Sequence, residues 1–393
     1  MTKGTIIYIG GFELPDKNAA AHRVLNNGKI LRSLGYRVVF ISVDNNLKYD
    51  KSVLKTKKEI QGFDVWFVPY PKLYKQWVDY LFNIDSFIKV ALNYTDIKAV
   101  ICYNYQSVAF IKVMKYCRKR NIKIFADCTE WPSRSVGHLL FRIIKCVDTF
   151  LRMRIIHKKL DGIIVISKYL ENYYKKSVEV LRVPPLVDLE EDKWSQSVDE
   201  FDDDIIRFVY AGSPGKLKDK LNLVIEALSS LRNNSNYLFY IIGITQEQYL
   251  MDHEEHNKLL EDLGEKIIFL GQQPHIDSLK YIKMADFSLF IRDDTRSTRA
   301  GFPTKFVESV SCGTPVITSK SSDLEEYIVN GENGFFLRID STEKLKKDIE
   351  KILLLSISDI KKVKDQVIDV DTFNFHLYFN QFAHFFNQVG LNS

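Results

Sequence analysis

The stretch GFPTKFVESVSCGTPVIT, residues 301–318, is the most informative part of this chain. It combines a Gly-Pro turn, a lysine, a glutamate within a short helical pattern, and a Cys-Gly-Thr-Pro turn that leads into an apolar strand. A helix N-terminus offers backbone N–H groups that, together with Lys305, suit a diphosphate, whereas the carboxylate of Glu308 suits sugar hydroxyls. We therefore expect this helix-to-strand unit to bind a sugar diphosphate.

The composition is that of a globular protein with two domains. The chain has 393 residues, of which 46% are hydrophobic and 27% charged. Its cysteines show no CxxC spacing, which favours reduced, mostly buried thiols. The first residues run into a strand without a secretory signal, and no apolar run reaches the roughly 18 residues of a membrane span. These features predict a cytoplasmic protein.

The net charge of +5 conceals an asymmetry between the two halves. Residues 1–187 carry 32 basic and 15 acidic side chains, whereas residues 188–393 carry 23 basic and 35 acidic ones. A basic half beside an acidic half indicates two domains with different partners. Because the basic half lacks aromatic-glycine RNA motifs, we expect an anionic acceptor or a membrane surface and no nucleic acid. Solvated helix faces are the alternative for most of these lysines.

Both halves alternate short apolar runs with helical patterns. The predicted strands are GTIIYIGGF, YRVVFISV, FDVWFVPYP, IKAVICYNY, IKIFADCTE and DGIIVIS in the first half, and IIRFVYAGSPG, YLFYIIG, IIFLG, ADFSLFIR and PVITS in the second. Apolar strands separated by helices predict parallel sheets covered on both faces. We place the domains at 1–187 and 205–375, with a structureless acidic linker at 188–204 and a Phe-rich helix at 376–393.

Taken in order, several stretches resemble the retaining glycosyltransferases of glycosyltransferase family 4 (group 1), including those of bacterial polysaccharide assembly. They are DGIIVISKYLENYY, VPPLVD, AGSPGKLKD, ADFSLFIR, GFPTKFVESVSCGTPVI and EYIVNGENGFFL. The resemblance implies an α/β protein of GT-B architecture, with two Rossmann-like, doubly wound parallel-sheet domains that face a cleft. It also implies that the N-terminal domain binds the acceptor, that the C-terminal domain binds the donor, and that the C-terminal helix packs back on the N-terminal domain.

The loop AGSPGKLKD is expected to carry one part of the donor site. A strand, a tight glycine turn at Gly212 and lysines at a helix start bring N–H groups and positive charge to a diphosphate. By the resemblance, Lys218 matches the family's lysine, whereas Ser213 stands where the family usually has an arginine. Either Lys216 or Lys305 would supply the missing positive charge. We expect Lys218 and Lys305 to stabilise the diphosphate as it leaves.

The signature stretch is expected to carry the other part. The resemblance implies that Glu308 accepts hydrogen bonds from the ribose hydroxyls of the donor. The first glutamate of the family's pair falls on Ala300, so either Asp293 or Asp294 would take its place toward the donor sugar. Backbone N–H groups toward the donor are expected from Gly301, Phe302 and Thr304.

The first half offers candidate residues for the acceptor side. The resemblance places the loop at Gly11 over the donor phosphate and the acceptor. Because ligands bind beyond the carboxyl ends of parallel strands, Asp127 and Glu130 lie where a general base or an acceptor-orienting carboxylate would lie. For His22 and Arg23, at the start of the first helix, we expect plain surface positions; the alternative is that one of them faces the cleft.

The stretch at 134–159 interleaves apolar residues with arginines and lysines, and only Asp148 opposes them. This pattern favours a helix that lies on an anionic membrane, at the inner face of the membrane. The alternative is a set of core helices with basic outer faces.

The resemblance implies a hexosyltransferase-like enzyme that retains anomeric configuration and uses a nucleotide sugar, without a metal or another cofactor. The basic first half favours a glycan or lipid-diphosphate-linked acceptor, as in the synthesis of lipopolysaccharide and other cell-surface polysaccharides. Two alternatives stay open at this point. They are a GT-B-fold sugar-nucleotide epimerase and a non-catalytic subunit that binds sugar nucleotides.

Overall fold

The structure, a computed structural model, describes residues 2–49, 57–132, 139–198, 201, 203–233 and 236–391. The side chains of residues 139–141, 216 and 217 lie outside this description. The chain divides into two compact units. The N-terminal unit comprises residues 1–187, 300–302 and 375–393, and the C-terminal unit comprises residues 188–299 and 303–374.

The N-terminal unit is built on one sheet. Its described strands are β1 (Thr5–Gly10), β2 (Arg37–Asp44), β3 (Lys57–Ile60), β4 (Phe63–Pro69), β5 (Ile97–Tyr103), β6 (Lys123–Cys128), β7 (Gly162–Val165) and β8 (Val180–Arg182). They lie in the order β3-β4-β2-β1-β5-β6-β7-β8, and all neighbours are parallel except β3, which is antiparallel to β4. The sequence pattern does not predict β3 or β8, because these short edge strands lack an apolar run.

Helices connect these strands. They are α1 (Ala19–Ser33), α2 (Tyr74–Phe82), α3 (Asp85–Ala91), α4 (Ser107–Arg118), α5 (Leu139–Leu151) and α6 (Lys168–Tyr174). The sequence pattern predicts a helix from Asn18 to Leu34 that stops at Gly35, and α1 lies within these bounds. Asn18 Oδ1 accepts a hydrogen bond from Ala21 N, and Gly35 follows the helix with φ +94°.

The strand order reverses between β1 and β5, since the chain first builds the sheet outward on one side of β1 and then returns to its other side. At the carboxyl end of β1, an added Cβ on Gly10 would lie 2.5 Å from the carbonyl oxygen of Tyr103. Only glycine allows the two strand ends to approach this closely. This reversal is a topological switch point, where open α/β sheets bind ligands.

The C-terminal unit contains a second, fully parallel sheet. Its strands are β9 (Ile206–Ala211), β10 (Tyr237–Ile242), β11 (Ile267–Gly271), β12 (Phe287–Phe290), β13 (Val316–Ser319) and β14 (Gly334–Leu337). They lie in the order β11-β10-β9-β12-β13-β14, so the switch point of the described sheet is between β9 and β12. Both sheets thus have the doubly wound form that the sequence predicts.

Helices also connect the strands of this unit. They are α7 (Gly215–Lys218), α8 (Leu221–Ser229), α9 (Gln246–Leu250), α10 (Asn257–Leu263), α11 (His275–Met284), α12 (Arg296–Ala300), α13 (Thr304–Ser311), α14 (Thr342–Leu353) and α15 (Ile357–Asp365). Within the described parts of both units, no helix has the length and apolar character needed to cross a bilayer.

The final helix, α16 (Phe379–Gln388), packs on the N-terminal unit, as predicted. Phe386 is fully buried, and its ring centroid lies 5.6 Å from that of Phe125 on β6 and 6.2 Å from that of Tyr36. The ring of Phe385 fills the space above Gly162 on β7, where an added Cβ would lie 2.6 Å from it. The Phe-rich pattern of this helix is therefore explained by core packing against β6 and β7.

The stretch at 188–204, expected to be a structureless linker, is partly ordered and belongs to the C-terminal unit. It contains a 3-10 turn at Asp192–Trp194, and the indole of Trp194 packs against the core formed by β9, β10 and α11. Lys283 Nζ donates a hydrogen bond of 2.9 Å to the carbonyl oxygen of Gln196. The acidic composition of this stretch did not indicate that Trp194 would pack against the core of the unit.

We predict that Phe386→Ala lowers the free energy of unfolding by about 3–5 kcal/mol, because it leaves a cavity between α16 and β6. Phe379→Ala on the same helix, where the side chain is 37% exposed, should cost less than about 1 kcal/mol. Urea denaturation of both variants would measure the difference. Equal losses would show that α16 is not anchored by its buried face.

Candidate functional site

The residues expected to bind the donor meet at the switch point of the C-terminal sheet. Gly212 follows β9 with φ +113°, a conformation that L side chains rarely adopt. Its N–H donates to the carbonyl oxygen of Ile242 at the end of β10, and Lys220 N donates to the carbonyl oxygen of Ile291 just beyond β12. The loop after β9 is thereby fixed against the carboxyl ends of β10 and β12.

Asp219, at the end of α7, is the centre of a buried cluster. Its Oδ2 accepts hydrogen bonds from Tyr210 OH at 2.6 Å and from Lys305 Nζ at 2.9 Å. Its Oδ1 accepts a hydrogen bond from Arg292 Nε at 2.6 Å. The side chain of Asp219 is 1% exposed, that of Arg292 6% and that of Lys305 10%. A carboxylate and two cations therefore share a site that is largely removed from water.

The protonation states follow from burial and from these contacts. Burial would raise the pKa of the Asp219 carboxyl, but the charges of Lys305 and Arg292, with the hydrogen bond from Tyr210, lower it to about 2. Burial lowers the pKa of the Lys305 ammonium, whereas the charge of Asp219 opposes that effect. With Asp219 and both cations charged, the cluster carries one excess positive charge.

The excess positive charge of the cluster lies close to the glycine turn at Gly212. An added Cβ on Gly212 would be 3.1 Å from Lys305 Nζ, so the ammonium is in contact with this part of the backbone. Ser319, at the end of β13, fixes the backbone of Arg292 from the other side: its Oγ accepts from Arg292 N at 2.8 Å and donates to Arg292 O at 2.6 Å. The residues around this positive charge therefore include residues at the carboxyl ends of β9, β12 and β13.

The predicted donor residues differ in exposure. Ser213 and Lys218 are exposed at the loop and at α7, whereas Lys305 is buried in the cluster. The side chain of Lys216 lies outside the described residues. Thr304 begins α13, and no described side chain caps this helix end. Gly301 and Phe302 precede it in the chain and group with the N-terminal unit.

Glu308 lies one turn into α13 and is about one quarter exposed. Its Oε1 lies 3.4 Å from Nε2 of His275, the first residue of α11. The ring of His275 makes an edge contact with Trp194, with a centroid distance of 6.2 Å. A carboxylate that keeps partial exposure and has a histidine beside it is suited to accept hydrogen bonds from hydroxyl groups.

The position of the missing glutamate is fully buried. Ala300 has no exposed surface, and its carbonyl oxygen accepts a hydrogen bond of 2.9 Å from Ser167 Oγ, which belongs to the same unit. The candidate replacements are at the surface of the C-terminal unit. Asp293 Oδ2 lies 2.9 Å from Lys220 Nζ, and Asp294 Oδ1 lies 3.2 Å from Arg299 Nε. Both carboxylates thus have basic neighbours.

In the N-terminal unit, Asp127 is the last but one residue of β6 and has no exposed side-chain surface. Its carboxylate accepts hydrogen bonds from Tyr8 OH at 2.5 Å, from Arg23 Nε at 2.9 Å and from Asn27 Nδ2 at 3.4 Å. Arg23 also places NH2 at 2.8 Å from Asp127 Oδ1. These contacts occupy both carboxylate oxygens, so the geometry assigns Asp127 to holding α1 against β6.

The expectation of a surface position for Arg23 is wrong, since its side chain is 3% exposed. Its NH1 donates to the carbonyl oxygens of Val183 at 2.9 Å and of Pro184 at 3.2 Å. Arg23 therefore joins α1, β6 and the segment that leaves β8. The inward face of α1 admits this cation because Asp127 neutralises it.

Glu130, three residues after Asp127, is exposed. The turn that carries it is fixed on both sides: Asn104 Nδ2 donates to Thr129 Oγ1 at 2.7 Å, and the ring of Trp131 lies 5.0 Å from that of Tyr173. Of the two predicted carboxylates on this turn, Glu130 is the one that solvent and ligands can reach.

Gly11 is exposed just beyond β1, and an added Cβ would be 3.9 Å from Tyr80 OH. A cavity of about 70 Å³ lies beside it at the carboxyl ends of β1, β2 and β4. Its polar lining comes from Tyr49, Asp79, Tyr80, Asn83, Asp85, Ser86 and Tyr105. Tyr49 OH donates to Asp79 Oδ2 at 2.9 Å. Tyrosines beside a carboxylate suit a ligand rich in hydroxyl groups.

Sequence reasoning missed Asp219, Arg292, Tyr210 and the cavity. Two of them had a signal in the sequence: Arg292 is the last residue of the predicted strand ADFSLFIR, and Asp219 is the last residue of the loop AGSPGKLKD. The rule that singled out Asp127, a polar residue beyond a strand end, applies equally to Arg292. Among the described residues, no three His, Cys, Asp or Glu side chains lie close enough together to hold a metal ion.

Residues 191–366 match a protein-family model, Glycosyl transferases group 1. Apart from residues 300–302, they belong to the C-terminal unit, and they contain both predicted donor loops and α13. A relative from Methanocaldococcus jannaschii, named an uncharacterized glycosyltransferase, is 23% identical over 211 residues, which cover 51% of this chain and 51% of that protein. The chain thus spans about half the length of the curated relative that it matches.

Solved structures are similar over nearly the whole chain. Sucrose-phosphate synthase from Thermosynechococcus elongatus has a TM-score of 0.71 at 16% identity and covers 99% of this chain and 100% of its own. HepE of Anabaena, in complex with UDP and glucose, has a TM-score of 0.65 at 13% identity, with coverage of 98% and 100%. At these identities the similarity shows the fold. The protein has two parallel-sheet α/β domains of the GT-B type, and residues 191–366 carry a domain of the glycosyl transferases group 1 type.

Proposed function

We propose that this protein is a glycosyltransferase that moves a sugar from a nucleotide-sugar donor to a glycan or lipid-linked acceptor. The observation that carries the proposal is the buried cluster of Asp219, Arg292 and Lys305 at the switch point of the C-terminal sheet. The match of residues 191–366 to glycosyl transferases group 1 supports the same assignment. HepE of Anabaena, which shares the fold, was solved with UDP and glucose.

The electrostatics of the cluster suit a leaving diphosphate. Its excess positive charge lies in a region of low effective dielectric, where a fixed charge acts more strongly on a developing anion than it does in water. Exposed Lys218 adds a second charge at the mouth of the loop. Charge stabilisation of this kind needs no metal ion, and we propose metal-independent transfer.

Glu308 is proposed to hold the nucleotide end of the donor. Its partial exposure and the neighbouring His275 support this proposal, because a carboxylate that ligands can reach accepts hydrogen bonds from hydroxyl groups. Backbone N–H groups at Gly301, Phe302 and Thr304 are proposed to meet the donor phosphates or sugar. The sugar end differs from that of relatives with a glutamate at position 300, because Ala300 is buried and offers no carboxylate.

In the transfer, the bond from the anomeric carbon to the diphosphate oxygen breaks, and the electron pair leaves with the nucleoside diphosphate. The acceptor hydroxyl oxygen forms the new bond to the anomeric carbon, and its proton passes to the departing diphosphate or to solvent. We propose retention of anomeric configuration on the basis of the family resemblance. Lys218 and Lys305 stabilise the charge that develops on the diphosphate.

Glu130 is proposed to orient the acceptor hydroxyl, since it is exposed beyond β6 while Asp127 is occupied. The cavity lined by Tyr49 and Asp79 is proposed to receive further hydroxyls of the acceptor. A lipid-diphosphate-linked glycan, as used in cell-surface polysaccharide synthesis at the cytoplasmic face of the membrane, fits the basic character of residues 1–187.

Donor binding can be tested first with a panel of UDP-, GDP- and ADP-sugars in a thermal-shift measurement. A true donor should raise the melting temperature, because ligand stabilisation grows as the logarithm of one plus the ratio of ligand concentration to Kd. With that donor, Lys305→Ala and Glu308→Ala should each lower transfer at least about tenfold through loss of one charge-assisted contact.

The matched controls are Lys344→Ala and Asp340→Ala, which break an exposed ion pair on the same unit and should leave the rate unchanged. Wild-type rates in both Lys305→Ala and Glu308→Ala would refute the proposal. Isomerisation of the donor alone would instead establish an epimerase. Binding with neither transfer nor hydrolysis would establish a non-catalytic subunit. The observation that favours this alternative is that position 300 is a buried alanine and offers no carboxylate.

The two carboxylates after β6 should separate in their effects. Glu130→Gln should lower kcat/KM for the acceptor at least about tenfold with an unchanged melting temperature, since it removes one oriented contact. Asp127→Asn should lower the free energy of unfolding by about 3–5 kcal/mol, because Arg23 stays buried without its counter-charge. Kinetics and urea denaturation of both variants test this. Full activity of Glu130→Gln would remove it from the site.

Contact of the N-terminal unit with an anionic membrane is also proposed, through α5 and the turn after it. Ile143, Val147 and Phe150 each keep about half of their surface exposed. Arg142, Lys145 and Arg154 are exposed along the same segment. The only acidic side chain of this segment, Asp148, accepts a hydrogen bond from Ser107 N, which draws it toward α4. Exposed apolar and basic side chains on one helix suit a membrane interface.

The structure removes one residue from the expected basic face. Arg152 is 6% exposed, and its NH1 donates to the carbonyl oxygen of Asn104 at 2.7 Å. It is the first residue of a π-helical turn, Arg152–Ile156, in which Met153 and Ile156 are also buried. Arg134 lies outside the described residues.

Sedimentation with vesicles of phosphatidylcholine and phosphatidylglycerol should carry the wild-type protein down at low salt. The triple substitution of Ile143, Val147 and Phe150 by serine should lower the bound fraction at least about fivefold, because it removes most of the apolar area that can insert. Leu354→Ser with Ile357→Ser, on exposed apolar positions of the C-terminal unit, is the matched control. Equal binding of all variants would assign these side chains no role at the membrane.

A further inference from the structure

Asp219 does more than contribute a charge to the cluster. It uses one oxygen for Arg292 and the other for Lys305 and Tyr210, so a single planar carboxylate sets the distance between two cations. The three partners come from different elements: Tyr210 from β9, Arg292 from the end of β12, and Lys305 from the first turn of α13. Within the described residues, Asp219 is the one acidic side chain that bonds either cation.

Asp219 takes only part of the hydrogen-bond donor capacity of the two cations. Arg292 carries five N–H groups and binds Asp219 through Nε, and Lys305 carries three and binds Asp219 through one contact. The long side chains of Arg and Lys have many rotamers in water, and fixing them costs about 1.5–2 kcal/mol each in entropy. In the folded protein Asp219 already holds both side chains in place, so this entropy is lost on folding and not on ligand binding. A site that is ordered before its ligand binds is pre-organised.

We propose that Asp219 is a positioning residue that orients Arg292 and Lys305 toward the diphosphate of a nucleotide ligand. This inference rests on the proposed function, since it assigns a role within the proposed donor site. It gives Arg292, together with Lys305, the task of receiving the diphosphate charge beneath the turn at Gly212.

The proposal makes a prediction opposite in sign to that of simple electrostatics. If Asp219 only added its negative charge to the local field, Asp219→Asn would tighten the binding of an anion. If Asp219 positions the two cations, the same substitution weakens binding, because their side chains lose the common partner that holds them. The two possibilities are distinguished by the direction of the change in Kd.

The experiment is calorimetric titration of the full-length protein with UDP, GDP and ADP, at a temperature well below the melting temperature of each variant. Asp219→Asn should raise Kd at least about tenfold, whereas Asp219→Glu, which keeps the carboxylate, should recover part of the affinity. Asp286→Asn is the matched control. It removes one negative charge from the same unit at the amino end of β12, where Asp286 binds Arg207 N, and it should change Kd less than about twofold.

The pH dependence of binding gives a readout that a purely structural role would not move. The charged or titratable groups that face Lys305 are Asp219, Arg292, Tyr210 and Lys218. Burial lowers the pKa of the Lys305 ammonium below its usual value, and the charge of Asp219 limits that lowering. Binding should therefore be lost with rising pH, and in Asp219→Asn the loss should begin at a lower pH than in the wild type.

The outcomes separate the two levels of the argument. If the wild-type protein binds none of the nucleotides, the proposed function fails. If the wild type binds and Asp219→Asn binds as tightly or more tightly, the inference about Asp219 fails and the proposed function stands, whatever the pH profile. Should Asp219→Asn not fold, Asp219→Glu decides alone: an unchanged Kd and pH profile in this variant, with its carboxylate displaced by one methylene, would overturn the positioning role.

Discussion

The hydrogen bonds of Asp219 to Arg292, Lys305 and Tyr210 are the interaction on which the candidate donor site depends. Two buried cations would repel each other and lose their hydration, so neither could stay in this position without a shared carboxylate. Burial would raise the pKa of the Asp219 carboxyl, but the two neighbouring cations and the hydrogen bond from Tyr210 lower it to about 2. Because the partners come from β9, β12 and α13, the interaction also ties the switch point of the sheet together.

The N-terminal unit uses a related device for a different purpose. Asp127 and Arg23 form a buried pair, but there the guanidinium also binds the carbonyl oxygens of Val183 and Pro184, and Tyr8 and Asn27 complete the carboxylate. The charges balance, and the contacts hold a helix, a strand and the segment that leaves the sheet. In the C-terminal unit two cations share one carboxylate, so one positive charge is not neutralised. That difference separates an ion pair that supports the fold from a cluster suited to bind an anion.

Much of the fold was readable from the chain because its signals are local. Apolar runs ending in glycine predicted the buried strands, and the Asn18 cap with Gly35 predicted the bounds of α1, since both depend on neighbouring residues. The short edge strands β3 and β8 were not predicted, because these two segments carry no apolar run. The packing of Trp194 was also missed, since an acidic composition says nothing about one aromatic anchor.

The family resemblance implied that GFPTKFVESVSCGTPVIT and the glycine loop AGSPGKLKD form one donor site. The sequence by itself determined that two parallel sheets covered on both faces would form and that the final Phe-rich helix would pack on another element. These follow from periodicity, turn chemistry and order along the chain. Only the tertiary structure decided which charged residues meet. Arg23 and Lys305 have the same local pattern as solvated helix residues, and their burial depends on Asp127 and Asp219, 104 and 86 positions away. Long-range charge neutralisation leaves no periodic trace in a sequence, so the partners become visible when the strands that carry them are adjacent.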